Sequence, residues 1–410
     1  MNVRPFRAYR YAGPERDLDR IVAPPYDQVS PELRARLAEL SPENFIHFSL
    51  PEPGPAGDRY EQARRTLEGW LAAGTWARDP VPAVYPYAQT YRSGDGTVTR
   101  TGIIALGEVA EYGRGVVLPH ERTHAGPKRD RLRLLEATGA DTGLLFMLAP
   151  DPDGELRRLG APAGDPIAEA HDLRGELHRL WRVTDPAAIA RVQKALADVP
   201  VIIADGHHRY ETAVEYARRE PAARHKLMAF VPLEAPGLTI LANHRLVHDV
   251  EGFALPRFLA DARPWFDVTP LDDPLGFRPA PRRIGVVAGA DAAVLALRDD
   301  APGRLPWPAG TSAAWRALAV SILHEGLLRP LAGITDARLD AGTHVDYTAD
   351  TAAAVRAARE GRCQAAFLIA PTTPAELQAV VRGGELLPQK STHFYPKLLD
   401  GLVFARLGED

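Results

Sequence analysis

Apolar and polar positions follow two periods along the chain, and the switch from one to the other marks out its elements. Residues 60–73 put Tyr60, Ala63, Leu67, Trp70 and Leu71 on one face of a helix that Gly74 ends. Ser30-Pro31 opens a shorter helix to Leu40 and Asp185-Pro186 opens another to Ala197, each joining a capping side chain to a proline at the first helical position. Residues 199–204 are the short apolar run of a buried strand, and a helix follows at once with Tyr210, Ala213, Val214 and Ala217 on one face. Residues 82–110 alternate aromatic and β-branched positions around Ser93-Gly94-Asp95-Gly96, which predicts a hairpin. Strands are predicted at 143–149, 226–231 and 238–247, and a helix at 128–138. Residues 3–11, which include Pro5, predict an edge strand, and Phe45-Ile46-His47-Phe48 a further one. Residues 151–165, rich in Asp, Pro and Gly, predict a surface linker.

From 251 to 340 the chain is Pro-rich, with strand-like runs at 284–288 and 294–297 and a helix at 312–329. A helix at 350–360, a strand at 364–370 and a helix from Thr373-Pro374 follow, and no internal repeat is visible. Interleaved helices, strands and hairpins predict an α+β, or mixed α/β, fold. The expected organisation is a core at 1–250, an α/β insertion or second domain at 251–340, and a segment at 341–410 that returns to the core.

Composition narrows the class of partner. The 410 residues are 45% hydrophobic and 25% charged, as in globular domains that fold in water. A net charge of −4 and a pI near 6.4 make nucleic acid an unlikely main partner. Cys363 is the only cysteine, so no internal disulfide forms, as expected in a reducing compartment. The opening residues lack an apolar signal-like stretch, and no apolar run approaches the ~18 residues of a membrane span. A cytoplasmic protein, free of membrane and able to self-associate as a homo-oligomer, is the expectation.

The densest chemistry lies at Asp205-Gly206-His207-His208-Arg209, directly after the apolar run. Gly206 permits a tight turn and close approach of a ligand, and the N–H groups at a helix start favour an anion. Arg209 adds a fork suited to phosphate, and His207 and His208 add donors. The plainer alternative makes Asp205 and the histidines helix caps and pairs Arg209 with Glu211 or Glu215.

A second cluster runs from Pro119 to Arg131. His120, Glu121 and His124 spell the HExxH spacing of zinc hydrolases, in which two histidines one turn apart hold zinc and Glu activates water. Pro119 on one side and Gly126-Pro127 on the other leave barely two turns for that helix, and no apolar stripe supports it. Otherwise a loop presents His120 and Glu121, the latter as a general base, ahead of a basic helix start where Lys128 and Arg131 meet phosphate oxygens.

The third cluster, Lys390-Ser391-Thr392 with Lys397, ends like a phosphate-binding P-loop but lacks its glycines. It fits either a phosphate clamp or a domain-closing tail. Arg245 is a lesser candidate for a second anion contact. Asp27, after Pro24-Pro25-Tyr26, reads as a turn residue or as a metal or base carboxylate.

The segments ADGHHRYETA, PHERTHAGPKRDR and KSTHFYPKLLDGLV, with Arg4-Pro5-Phe6 and APPYD near the start, resemble the uncharacterised prokaryotic family termed domain of unknown function 1015, over nearly the whole chain. That family is in turn similar to the ParB/sulfiredoxin superfamily, which includes nucleotide-using partition proteins, sulfiredoxins and free serine kinases. The resemblance implies a ParB/sulfiredoxin-like nucleotide-binding core with large α/β elaborations, in which Gly206, His208, Arg209 and Tyr210 stand at the loop that binds nucleotide phosphates. A histidine stands where sulfiredoxins carry cysteine, which disfavours their chemistry, and His124 departs from the family's HExT pattern.

The expected function is phosphoryl transfer from a nucleotide to a small hydroxyl compound, serine-like in the kinase analogy. ATP or ADP, with CTP as an alternative, and Mg²⁺ are the expected cofactors, and Glu121, His120 and Asp205 the catalytic groups. A nucleotide-sensing protein that makes no small-molecule product is the first alternative, and a metal-dependent hydrolase using His120, Glu121 and His124 the second.

Overall fold

Capping side chains start the helices where the sequence placed them. Ser30 Oγ accepts from the Leu33 N–H, Asp58 from Tyr60, and Asp185 from Ala187 and Ala188. A computed structural model of the chain describes every residue except Pro14, Ala56, Asp95, His124, Pro162, Ala163, Pro221 and Asp410, and also omits the side chains of Ala125 and Pro127. The chain divides into one unit of Met1–Leu238 with Pro396–Asp410, and a second of Thr239–Tyr395. Residues 341–395 thus lie with 251–340, and only the last fifteen residues join the first unit.

In chain order the first unit contains β1 (Val3–Arg4), β2 (Tyr9–Tyr11), α1 (Leu18–Ile21), α2 (Pro31–Leu40), α3 (Ile46–Ser49), α4 (Arg59–Ala72), β3 (Trp76–Arg78), β4 (Tyr85–Ser93), β5 (Gly96–Glu108) and β6 (Val117–Leu118). There follow α5 (Ala125–Thr138), β7 (Ala140–Asp141), β8 (Leu145–Ala149), α6 (Glu155–Leu159), β9 (Ala168–His171), β10 (Leu177–Leu180), α7 (Pro186–Leu196), β11 (Val201–Asp205), α8 (His207–Arg219) and β12 (His225–Pro232). A mixed sheet runs β6-β11-β8-β12-β5-β4-β10-β9, and β1 pairs with Leu106 and Gly107 of β5 past the point where β4 ends opposite Ile104. The pairs β6/β11 and β8/β12 are parallel and the others antiparallel. The hairpin of β4 and β5 closes with Ser93 opposite Gly96.

Alternation of side chains along the strands builds the main core. Ile103 and Ala105, Leu145 and Met147, Val201 and Ile203, and Met228 and Phe230 share one buried cluster with Leu156, Val192, Leu196 and Tyr210. An aromatic core gathers Tyr9, Tyr11, Phe45, Phe48 and Trp76 around Phe404, which the C-terminal segment supplies. The Trp76 ring lies 4.5 Å from Phe404 and 4.7 Å from Trp70. The second unit has a six-stranded antiparallel sheet in the order Phe266–Pro270, Asp291–Leu297, Arg283–Ala288, Ala365–Leu368, His244–Val247, Val345–Thr348. Among the described residues no helix is long and apolar enough to cross a membrane.

The mixed α/β class stands, and four local expectations are corrected. The strand expected at 45–48 is instead occupied by Phe45 as cap and α3, because Asn44 Oδ1 accepts from Ile46 N–H while its Nδ2 donates to the carbonyls of Arg20 and Val22. A four-residue apolar run carries no period of its own, and this side chain decides it. Residues 3–11 split into β1 and β2, which join different sheets. The supposed linker at 151–165 contains α6, whose first turn is held by Asp151 accepting from Leu156 and Arg157 and whose Leu156 enters the core. The helix expected at 312–329 breaks into Ala313–Ala317 and Ala319–Leu323, followed by a wider turn at His324–Leu328.

Trp76→Ala removes the ring at the centre of the aromatic core. Urea unfolding followed by fluorescence and circular dichroism is expected to show a loss of about 3–5 kcal/mol, and a loss below ~1 kcal/mol would contradict the central place given to this ring.

Candidate functional site at the start of α8

Strand β11 does not run straight into α8. Its register with β8 shifts between Ile203, opposite Met147, and Asp205, opposite Phe146, which is a bulge at Ala204. Such an insertion re-aims the next side chain. Gly206 follows at φ 100°, a conformation that side-chain-bearing residues avoid, and a Cβ there would lie 2.7 Å from Leu145 Cδ2. No side chain caps the helix at Gly206.

Asp205 is held between two cations. Its Oδ2 accepts from Arg209 Nη2 at 2.8 Å and its Oδ1 from Lys397 Nζ at 2.8 Å. Burial favours the neutral acid, but Lys397 and Arg209 outweigh it and hold the carboxyl well below its ordinary range. Arg209 is only 6% exposed and gives a second N–H to the Leu144 carbonyl at 2.5 Å. Neither Glu211 nor Glu215 is its partner. Glu211 Oε2 instead accepts from Lys128 Nζ at 2.7 Å and Thr123 Oγ1 at 2.8 Å, while Glu215 pairs with Arg219.

The loop after β6 docks on this junction. His120, 1% exposed, has Nδ1 2.6 Å from the Ile203 carbonyl, and its backbone N–H donates to His207 Nε2 at 3.2 Å. The two imidazoles meet edge to face with centroids 4.6 Å apart. Burial, then the neighbouring His120, drive the His207 pKa well below its ordinary value, so the ring is neutral at pH 7. With Nε2 accepting, the neutral ring carries its proton on Nδ1, which lies 3.6 Å from Glu121 Oε1. Glu121 itself is partly exposed, at 27% of its side chain. His208 is partly exposed at the next position, and its carbonyl accepts from Thr212 Oγ1 at 2.8 Å.

His120, Glu121, Lys128, Asp205, Gly206, His207, His208, Arg209 and Lys397 therefore gather around the start of α8. Arg131 lies further along α5, where it pairs with Asp130, donates to the Ser49 carbonyl at 2.7 Å and stacks on Tyr26 at 4.2 Å. Lys390, Ser391, Thr392 and Arg245 belong to the second unit. There Arg245 is fully buried and spends its N–H groups on His324 Nε2 and the carbonyls of Asn243, Gln389 and Lys390, a structural use of the guanidinium. Ser391 Oγ donates to the Pro388 carbonyl, and Thr392 offers its own carbonyl to Asn243 Nδ2.

The helix that an HExxH zinc site requires is not formed by His120 and Glu121, which precede α5 in a loop; His124 lies outside the described residues. Among the described residues no group of three or more His, Cys, Asp or Glu is placed to hold a metal.

The sequence reading missed Asp141, Lys226 and Asp400. All three line a cavity of about 50 Å³ together with Tyr26, Arg131 and Arg209. A lone acid inside the apolar run Leu398-Leu399-Asp400-Gly401-Leu402-Val403, and a lysine at the mouth of an apolar strand, were the available signals. Lys226 Nζ donates to Asp141 Oδ1 and to the Gly143 carbonyl.

With this geometry in hand, the family match covers most of the chain. The protein belongs to the family described as protein of unknown function DUF1015, whose model matches residues 3–321. No curated protein matches it. Similar solved structures include a conserved hypothetical protein from Pyrococcus furiosus, at 11% identity over 72% of this chain and 93% of that one with a TM-score of 0.37. A free serine kinase in complex with AMP is 11% identical over 72% and 90%, with a TM-score of 0.37. SbnI from Staphylococcus aureus, truncated at its C-terminus, is 13% identical over 73% and 86%, with a TM-score of 0.37.

The buried, neutral His207 makes stability fall in acid. An unfolded histidine takes up a proton near pH 6.5, whereas His207 in the fold resists it, so its contribution is complete above that pH and is lost as pH falls toward the depressed folded value. Urea unfolding between about pH 7 and pH 5 should therefore show a slope that His207→Gln lowers by up to ~1.4 kcal/mol per pH unit. An unchanged slope in the variant would place the charge balance elsewhere, with His178, His225, His244 and His324, whose pKa values burial also lowers, as the alternatives.

Proposed function

We propose that this protein binds a nucleotide at the start of α8 and transfers its terminal phosphoryl group to a small hydroxyl compound. The observation that carries the reading is that three distant parts of the chain, His120 with Glu121 and Lys128, residues 205–211, and Lys397, converge there on one uncapped helix start. Lys397 and Arg209 together exceed the charge of Asp205, and the first N–H groups of α8 add a partial positive charge, so an anion is the complementary ligand. Arg209 is committed to Asp205 and Leu144, which makes Lys397 and the helix start the groups that face phosphate, with Arg209 fixing Asp205 beneath them.

Phosphoryl transfer asks mainly for positioning and charge neutralisation. The acceptor oxygen forms a bond to the terminal phosphorus, the bond to the leaving diphosphate breaks, and the hydroxyl proton passes to a carboxylate. Glu121 is the partly exposed carboxylate beside the site, with its Oε1 3.6 Å from Nδ1 of His207. ATP is the fitting donor and ADP its product. Mg²⁺ is commonly held by phosphate oxygens with one or two carboxylates, so here it would arrive with the nucleotide.

Lys397→Ala should lose the thermal stabilisation that ATP or ADP with Mg²⁺ gives the wild type, which is ~2.7 kcal/mol at a hundredfold excess over the dissociation constant. Glu121→Gln should keep that stabilisation and lose acceptor-dependent ADP release by ~10²- to 10⁴-fold. Full turnover in Glu121→Gln would remove Glu121 as base. Nucleotide stabilisation without any acceptor-dependent product would leave a nucleotide sensor in place of a transferase.

A further inference from the structure

A groove of about 730 Å³ crosses the first unit between the start of α2, the residues that follow α3, the start of α4 and the middle of α5. Ligand sites are commonly clefts of about 300–1,000 Å³ that join apolar walls to a few convergent polar groups. Here the apolar surface comes from Val29, Pro31, Leu50, Pro51 and Pro53. None of Asp205, Gly206, Arg209 and Lys397 lines the groove, which sets it apart from the start of α8.

Four guanidinium groups and three carboxylates line the same space, and each acid already has its partner. Glu52 pairs with Arg34 at 2.7 Å. Asp58 accepts from the Tyr60 and Glu61 N–H groups at the start of α4. Asp130 is shared by Arg59, Arg131 and the Tyr60 hydroxyl. Arg133 is different. It is exposed, donates to no acceptor among the described residues, and lies with its guanidinium 4.3 Å from the centroid of the Tyr60 ring. Arg59 lies 4.9 Å from the same centroid and spends only Nη2, on Asp130 and the Tyr60 hydroxyl, which leaves Nε and Nη1. Tyr60 is 6% exposed, so its ring backs the two cations and holds them near each other. The lining thus carries one positive charge in excess, and its unused donors belong to two arginines beside one ring.

We propose that this groove binds an organic monoanion, a carboxylic acid with an apolar body, its carboxylate on Arg133 and Arg59 and its hydrocarbon part against Val29, Leu50 and the prolines. A guanidinium fork matches the two oxygens of a carboxylate. One negative charge balances the excess, whereas a polyphosphate would bring several charges close to Glu52, Asp58 and Asp130. A neutral compound leaves Arg133 unanswered, and a small anion leaves the apolar surface bare. The site goes beyond the proposed phosphoryl transfer and does not depend on it.

Calorimetric titration of the full chain with 4-phenylbutyrate tests this assignment. Acetate keeps the charge without the body, 4-phenylbutanol the body without the charge, 4-phenylbutylamine reverses the charge, and phenyl phosphate replaces the carboxylate. Phenylbutyrate should bind saturably, and each of the other four should bind at least about tenfold more weakly, equivalent to about 1.4 kcal/mol. Arg133→Ala, an exposed position, should weaken phenylbutyrate by at least about tenfold, and Arg133→Lys, which keeps the charge but loses the fork, should restore only part of that. Val29→Glu, which sets a charge on the apolar surface, should also weaken it. Binding should survive in Lys397→Ala and in the presence of saturating ATP with Mg²⁺. No saturable binding, equal binding of phenylbutanol, tighter binding of phenyl phosphate, or full affinity in Arg133→Ala would each overturn the proposal. So would loss of phenylbutyrate binding in Lys397→Ala or its displacement by ATP, since either would return the ligand to the start of α8. A nucleotide shift without phenylbutyrate binding would leave the phosphoryl-transfer reading standing and sink this one, and phenylbutyrate binding without a nucleotide shift would do the reverse.

Discussion

The arrangement depends on the burial of one guanidinium. Arg209 sits in the first turn of α8 with its stem pressed between two glycines: a Cβ on Gly143 would lie 2.9 Å from its Cδ, and one on Gly206 would lie 3.1 Å from its Nε. A side chain at either position would push the arginine out. Because both are absent, Arg209 reaches the Leu144 carbonyl and Asp205 from within the protein. Burying a cation this way is unfavourable unless it is paired. The left-handed turn at Gly206 and the bulge at Ala204 are the backbone features that bring Asp205 to it.

Once Arg209 is inside, the neighbouring charges follow from the need to compensate it and one another. Asp205 answers Arg209 and also takes Lys397, drawing the C-terminal segment onto β11. Asp141 answers Lys226, and its other oxygen accepts the Leu227 N–H, so β7 is tied to β12 through a side chain. Asp400 is the acid left over. It is buried near Arg209 and Lys226 but keeps one oxygen unsatisfied, and burial raises its pKa to about 7 although both cations oppose the rise. Ion pairs of this kind add little net stability compared with an apolar core, yet removing one partner leaves a bare charge and is costly.

What the sequence disclosed was local. An apolar strand running into Gly206 and a polar first turn is written in one short stretch of chain, and so was legible as a strand-to-helix junction rich in polar groups. The cap at Asp185 and the hairpin at Ser93 are legible for the same reason. Asn44 turning residues 45–48 into a helix depends on carbonyls about twenty residues earlier, which no window of alternation contains. The cavity depends on still longer separations, with Tyr26, Asp141, Lys226 and Asp400 brought together from four parts of the chain. Lys390 to Thr392 resembled a phosphate loop because lysine and hydroxyls suffice for the pattern. In the fold, the carbonyls at 389 and 390 serve Arg245, and the Ser391 hydroxyl serves the chain just before it.

The same contrast explains why the HExxH spacing at His120 misleads. Zinc ligation needs an imidazole nitrogen directed outward from a helix, with the other nitrogen supported from behind. His120 is instead drawn inward, with its Nδ1 at the Ile203 carbonyl of the strand that leads to Gly206 and its ring against His207. Through that contact the loop carrying Glu121 is fixed to the same bulged strand that aims Asp205. A histidine used this way sets the distance between a carboxylate at the surface and a helix start beneath it. Under the proposed transfer, that distance would govern moving a proton off a hydroxyl while a phosphate is held still. In the proposed reading the motif contributes position, and the chemistry falls to Glu121.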